Sequence, residues 1–483
     1  MPDDRPNVLF LMNDEHRPDL AGFAGNDVVR TPTLDWLAET GTVFTNAYTP
    51  SPICVPGRHA IRTGKLPRTY EDEGLDEFDD GYPYMARKFT DHAYMTAQAG
   101  KEHYPGWSQM VGFRKRLGPT PMKREVGDTA VDTENPGAIE YEREVDYGDY
   151  GGWDDWKWGW QKEVQQAGIS DSRVQVQDRR LVEGTEQFLR QFFVSPYYDR
   201  AQPDRPLFVK TSVIQPHYPF FTEDEDLFTY YMNRVDPHVE EPGDHPAARS
   251  DRWAECGELT PGQDVTAREI RRATAAYYAM VERMDSLFGR VIERLRLCGE
   301  DPDEWVIVFT SDHGEMLGER GLWGKINFYE PTVNVPLIIR WPERFDPGTV
   351  DQNVSLCDLY ATLCDLADIP VPDDVDSRSL VPLLEGDTDD WDDEAISQGA
   401  DNTAVHGGLG PEELMIKRGD LKYCWYGEGE GEILFDLERD PGENTNYVDD
   451  PDYADEVEAF RERRGELGYG PNADPDYVNA GYR

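Results

Sequence analysis

The chain is short of positive charge: Lys and Arg number 48 against 96 Asp and Glu, a formal net charge of -48 at pH 7. A surface of that sign repels phosphate backbones, so nucleic acid is excluded as a partner. Long apolar runs are also missing. No stretch is long enough to cross a membrane, and residues 1–5 lead straight into the apolar run at 8–12 without an apolar leader or a twin-arginine signal. Cysteine is sparse. Cys54, Cys256, Cys298, Cys357, Cys364 and Cys424 show neither metal-knuckle spacing nor a dense disulfide framework. Together these absences make a cytoplasmic location the expectation.

What is present describes a folded protein. At 483 residues the chain can bury one large core and carry a smaller second lobe. Aromatic residues make up 12% and charged residues 30%, so the mean hydropathy of -0.71 reflects an acidic surface and not a missing core. The acids are spread along the whole chain. Their mutual repulsion reaches roughly 10 Å at low salt and about 3 Å at molar salt, which reads as adaptation to a high-salt cytoplasm.

Apolar runs at residues 7–13 (NVLFLMN), 206–213 (PLFVKTSV), 305–310 (WVIVFT) and 335–340 (VPLIIR) read as buried strands, with helical patterns at 33–40 and 266–297 between them. This alternation predicts an α/β fold with a large, mixed but mostly parallel sheet sandwiched by helices. The expected catalytic domain is 1–390. Residues 120–165, rich in Asp, Glu, Gly and Trp, read as a long insertion, either a solvated loop or a rim that selects substrates. Strand-like runs at 414–426 and 432–437 predict a smaller C-terminal α+β lobe, 391–483, built on an antiparallel sheet.

In such a sheet the ligand site lies beyond the carboxyl ends of the strands. Asp14 and Asp312 each follow a predicted strand there, so two hard oxygen ligands from distant sequence can meet over the sheet. Carboxylates suit Ca²⁺ or Mg²⁺, and His313 admits Mn²⁺. Cys54 precedes a helical stretch whose backbone N–H groups favour an anion.

Residues 54–58 read Cys-Val-Pro-Gly-Arg. The pattern Cys-x-Pro-x-Arg resembles the signature of the type I, formylglycine-dependent sulfatases of the alkaline phosphatase superfamily. Other stretches follow in that family's order. Asp14-Glu15 is similar to its Asp-Asp metal pair, Thr31-Pro32-Thr33-Leu34-Asp35 to its Thr-Pro-Asn-(Leu/Ile)-Asp stretch, and Gly100-Lys101-Glu102-His103 to its Gly-Lys-x-His. Pro216-His217-Tyr218-Pro219, Ser311-Asp312-His313-Gly314 and Gly324-Lys325 continue the series, and Leu434-Phe435-Asp436-Leu437 with Asp440-Pro441 resembles its closing landmarks. Two positions depart: Gly57 stands where the family has Ser, Thr or Ala, and Glu15 where it has a second Asp.

The resemblance implies hydrolysis of a sulfuric ester by a formylglycine made from Cys54 by formylglycine-generating machinery. It also implies one divalent cation, Ca²⁺ first and Mn²⁺ or Mg²⁺ as alternatives, held by Asp14, Glu15, Cys54, Asp312 and His313. A cation beside a hydrated aldehyde would make one hydroxyl a nucleophile towards sulfur. Arg58, Lys101 and Lys325 would offset charge on the sulfuryl oxygens. His217 with Lys325 would protonate the leaving alkoxide, and His103 would deprotonate the second hydroxyl to expel sulfate. The expected substrate is a small-molecule or carbohydrate sulfate ester. His313 in place of Asn leaves open a phosphonate monoester or phosphate diester hydrolase of the same superfamily. A reading of another class is a non-catalytic, metal-stabilised binding protein with Cys54 unmodified. The sequence is silent on oligomeric state.

Overall fold

The run NVLFLMN alternates its side chains between two hydrophobic layers, which a strand covered on both faces requires. The computed structural model describes residues 5–70, 82–103, 110–118, 156–170, 172–195, 205–241, 246, 258–399, 412–427 and 431–470. In it this run is β1 (Asn7–Asp14). Leu9 and Leu11 pack into one cluster and Val8, Phe10 and Met12 into another on the opposite face.

Seven more strands complete the sheet: β2 (Thr42–Phe44), β3 (Met95–Gly100), β4 (Lys115–Arg116), β5 (Leu207–Pro216), β6 (Trp305–Ser311), β7 (Leu337–Arg340) and β8 (Gly348–Val350). Their spatial order is β8-β2-β7-β6-β1-β5-β3-β4. Within it β1 runs parallel to β5 and β6, β5 parallel to β3, and β7 antiparallel to β2 and β6. The sheet is mixed and mostly parallel, as the sequence predicts.

Helices cover both faces. Those bearing on the site are α1 (Pro32–Thr40), α2 (Cys54–Thr63), α3 (Arg173–Val194) and α4 (Ala267–Leu297). α3 and α4 pack against the Leu9 face. α4 opens with a capping box, in which the Thr266 hydroxyl accepts from Glu269 N–H while the Glu269 carboxylate accepts from Thr266 N–H.

A separate antiparallel sheet runs in the order β9 (Glu394–Gln398), β10 (Leu414–Arg418), β11 (Leu421–Trp425) and β12 (Glu432–Asp436). A helix, α5 (Ala454–Glu466), covers one face of it through Val457 and Phe460. Residues 414–426, read as one run in the sequence, form two strands because Gly419, with φ 52°, turns the chain between them. β9 went unpredicted, since it emerges from the acidic stretch 387–394.

Of the insertion expected at 120–165, residues 120–155 lie outside the described residues. The remainder corrects the solvated-loop alternative. Trp156–Gln166 is a helix, and Trp160 and Val164, four residues apart, are buried in the main core. Gly159 and the polar residues around this pair mask its helical spacing. Among the described residues no helix is long and apolar enough to cross a membrane. Cys54, Cys298, Cys357, Cys364 and Cys424 are all free thiols.

Candidate active site

Four parallel strands deliver their carboxyl ends to one place, where the peptide chain leaves the sheet and side chains can converge. β1 ends on Asp14, β3 on Gly100 just before Lys101, and β5 on Pro216 just before His217; Asp312 follows β6. Gly100, at φ 101°, is required: a Cβ there would lie 1.7 Å from the Ser212 carbonyl oxygen. That approach lets Lys101 N–H donate to Ser212 O at 2.9 Å and turns Lys101 inward.

Cys54 is the first residue of α2, as expected, and is buried. Its Sγ lies 3.1 Å from His313 Nε2, 3.1 Å from Lys325 Nζ, 3.6 Å from Lys101 Nζ and 3.8 Å from Asp14 Oδ1. His103 and His217 lie near enough for their ionisation to be linked to that of Cys54. Burial pushes the thiol up, but Lys101, Lys325 and His313 outweigh it and hold Cys54 well below its ordinary value.

Arg58, one turn further along α2, is wholly buried. Its Nε donates to Asp312 Oδ2 at 2.6 Å and its Nη2 to Asp14 Oδ2 at 2.8 Å and Asn13 O at 3.2 Å. Nη1 donates to Lys101 O at 2.5 Å and Ser212 Oγ at 2.9 Å. Asp14 also pairs with Lys101 Nζ at 2.6 Å. Burial and the Cys54 sulfur raise its carboxyl, yet Lys101, His217 and Arg58 hold it well below the usual carboxylate range.

Glu15 follows in a left-handed conformation, φ 64°. Its Oε2 lies 3.1 Å from Lys325 Nζ and 3.3 Å from His217 Nε2. Burial pushes its carboxyl well above the ordinary value despite Lys325, and Glu315 adds to the shift. For Lys325 itself, burial lowers the pKa but Cys54 and Glu15 raise it well above the usual range, so it stays charged.

Backbone carbonyls fix the histidine tautomers. His217 Nδ1 faces Tyr218 O at 2.7 Å and His313 Nδ1 faces Gly314 O at 3.0 Å. A carbonyl only accepts, so each Nδ1 carries a proton and each Nε2 is the nitrogen turned into the site. Burial, Lys325 and Lys101 push His217 down to about 3. His313 moves the other way, because Asp312 outweighs the effect of its burial.

This donor set fits a divalent cation. Asp14, Cys54, Asp312 and His313 present ligand atoms all within 4.8 Å of one another, and Asp14, Glu15 and His217 form an overlapping group. Among the described residues no hydrogen-bond donor faces the buried Glu15 Oε1, an acceptor that a cation would satisfy.

The chain matches the sulfatase family model over residues 6–369. It belongs to the sulfatase family. Residues 318–467 also match the model of the N-sulphoglucosamine sulphohydrolase C-terminal region. The choline-sulfatase of Rhizobium meliloti is 31% identical over 92% of this chain and 83% of its own length. The arylsulfatase of Clostridium perfringens is 28% identical over 95% and 93%. Among solved structures, the phosphonate monoester hydrolase of Silicibacter pomeroyi superposes with TM-score 0.73 at 22% identity, covering 97% of this chain and 96% of that one. A solved complex with D-glucosamine-2-N,6-O-disulfate, its substrate, superposes with TM-score 0.70 at 20% identity, covering 98% and 100%. Both likenesses extend over nearly the whole fold.

Within this sulfatase-family chain the structure brings together every residue singled out from the sequence: Asp14, Glu15, Cys54, Arg58, Lys101, His103, His217, Asp312, His313 and Lys325. Sequence reading missed the groups that hold them. Ser212 and Asn13 O anchor Arg58. Glu315 Oε1 accepts from Gly324 N at 2.5 Å and Leu317 N at 2.8 Å, which fixes the loop before Lys325. Glu102 pairs with buried Lys210 at 2.8 Å between Lys101 and His103. Tyr277 of α4 donates to Glu15 O and accepts from Arg17 N at 3.0 Å. Of these, Asn13, Glu102 and Glu315 stood in or beside motifs; Ser212 and Tyr277 carry no local signal.

Proposed function

We propose that this site hydrolyses a sulfuric ester to an alcohol and sulfate, with Cys54 converted to formylglycine by formylglycine-generating machinery. The observation that carries the reading is the position of Cys54: at the start of α2, 3.1 Å from both His313 Nε2 and Lys325 Nζ and beside the carboxylates of Asp14 and Asp312. Asp14, Glu15, Asp312 and His313, with position 54, would hold one divalent cation, Ca²⁺ first by the number of carboxylates. When present, the hydrated aldehyde and the cation supply an ionisable hydroxyl nucleophile and positive charge opposite the sulfuryl oxygens.

The chain's own residues do the rest. Lys101 and Lys325 present charged amines to the sulfuryl oxygens from two sides of position 54. Arg58 acts differently from the sequence expectation. All five of its N–H groups face protein acceptors, so it neutralises and aims Asp14 and Asp312 and contacts no substrate oxygen. His103 lies beside position 54 and serves as the base that releases sulfate. His217 and Lys325 flank Glu15 on the other side and serve the leaving oxygen. A bound sulfuryl group brings negative charge towards the His217 ring and raises its proton affinity when that proton is needed.

Mass spectrometry of the tryptic peptide ending at Arg58, from protein made in its native host, tests the modification. The expected product is formylglycine at 54; an intact thiol overturns the mechanism. A panel of aryl sulfate, choline sulfate, phosphate diester and phosphonate monoester tests the reaction, and the sulfates are expected to dominate. Faster turnover of the phosphonate or diester by orders of magnitude would overturn the sulfatase assignment. The acidity of the chain supports a high-salt cytoplasm as its setting, and the two sheets support a division near residue 390.

A further inference from the structure

His217 lies on a loop, and loops place side chains less accurately than strands do. Yet this loop is stapled at both ends by one helix. Asp178 of α3 is fully buried, and none of its carboxylate oxygens faces a cationic side chain at hydrogen-bond distance among the described residues. Instead Oδ1 accepts from Ile214 N at 2.9 Å, while Oδ2 accepts from Gln215 N and Gln215 Nε2, each at 3.0 Å. The Ile214 carbonyl in turn accepts from His217 N–H at 3.0 Å. One turn earlier on the same face, Gln175 grips the far end: Nε2 donates to Phe221 O at 3.0 Å, and Oε1 accepts from Glu223 N at 3.2 Å. The segment between, 216–220, carries His217, whose ring is then oriented by Tyr218 O.

Burying a carboxylate is costly unless its acceptors are satisfied. Here three N–H donors satisfy it, and all three belong to the two residues that precede the Pro216-His217 turn. We infer that Asp178 is a positioning residue for the leaving-group step: with Gln175 it fixes residues 214–223 so that His217 Nε2 reaches the departing oxygen. This rests on the proposed assignment of His217 to that oxygen.

The test uses the full-length, cation-loaded enzyme and a series of sulfate esters whose leaving groups run from 4-nitrophenol to an alkyl alcohol. Asp178→Asn keeps the side-chain volume but turns one acceptor into a donor facing N–H groups. A shift of about 1 Å in a reacting group costs on the order of 100-fold, so kcat for the alkyl sulfate is expected to fall by about that factor. The nitrophenyl ester, which leaves without a proton, is expected to change by under about 5-fold. The slope of log kcat against leaving-group pKa steepens accordingly. Gln175→Leu, which keeps the carboxylate, is the second variant and is expected to steepen the slope in the same direction by a smaller amount. Equal losses across the series, with a lowered melting temperature, would reduce Asp178 to a structural role and overturn the inference. His217→Ala is run alongside. If it steepens the slope and the Asp178 and Gln175 variants do not, the inference alone fails; if His217→Ala leaves the slope unchanged, the assignment of His217 fails with it.

Discussion

Arg58 Nε and Asp312 Oδ2 meet at 2.6 Å in a site with no solvent exposure, joining α2 to the end of β6 across 254 residues of sequence. The same guanidinium holds Asp14 at 2.8 Å. Replacing it by Gln leaves two buried carboxylates without their shared counter-charge, a loss of about 3–5 kcal/mol. A divalent cation bound by the same carboxylates supplies the missing charge and stabilises the folded state by mass action. Arg58→Gln is therefore expected to melt well below the parent in chelator, with the gap narrowing under saturating Ca²⁺ or Mn²⁺. A gap of the same size in chelator and in saturating metal contradicts a shared role for the carboxylates.

Gly57 has a packing reason. A Cβ at this position would stand 2.8 Å from Ser51 O and 3.2 Å from Thr49 Oγ1, closer than an unshifted backbone allows. Restoring the family's Ser at 57 is expected to destabilise the fold by about 1–3 kcal/mol, the usual range for overpacking. Urea unfolding of Gly57→Ser should show a lower midpoint at an unchanged slope. An unchanged midpoint would mean that the 49–51 loop yields freely.

The sheet and its helices were legible because burial on both faces writes itself into sequence as unbroken apolar runs, as at Val8–Met12 and Val306–Phe309. The site was legible because its residues sit in short motifs, at strand ends, at the start of α2 and in the loop that carries Lys325. What escaped was support at long range. Asp178, Tyr277 and Ser212 are ordinary residues in helices or a strand, and only tertiary folding brings their hydrogen bonds to the motif loops. The Thr31–Asp35 motif shows the reverse. Its conspicuous Asp35 accepts from Phe23 N–H at 2.8 Å and Thr31 Oγ1 at 3.1 Å, a loop-fixing role away from the chemistry.

With 48 more acidic than basic charges, 96 minus 48, the folded chain repels itself until salt screens it. The melting temperature is expected to rise steeply with KCl as the screening length falls from about 10 Å at 0.1 M to about 3 Å at 1 M. A thermal series in KCl at fixed divalent cation checks this. A melting temperature at 0.1 M that equals the value at 2 M removes the case for high-salt adaptation.

Asp285 of α4 supplies a pH dependence outside the catalytic site. It caps α1, accepting from Leu34 N at 2.8 Å and Thr33 N at 3.1 Å. Burial nevertheless pushes its pKa up to about 7, against the opposing effect of these two bonds. An unfolded Asp loses its proton near pH 4, so between there and pH 7 the folded state holds a proton that the unfolded state has released. Folding stability from this group is thus complete below about pH 4 and is lost as pH rises towards 7, by an amount on the order of 2–4 kcal/mol. Asp285→Asn cannot ionise and escapes that loss, although its amide can cap with only one oxygen. The stability difference between parent and variant, measured by urea at pH 5 and pH 8, should therefore shift in favour of the variant at pH 8. A difference that does not change with pH would mean that Asp285 is already ionised in the folded protein at pH 5.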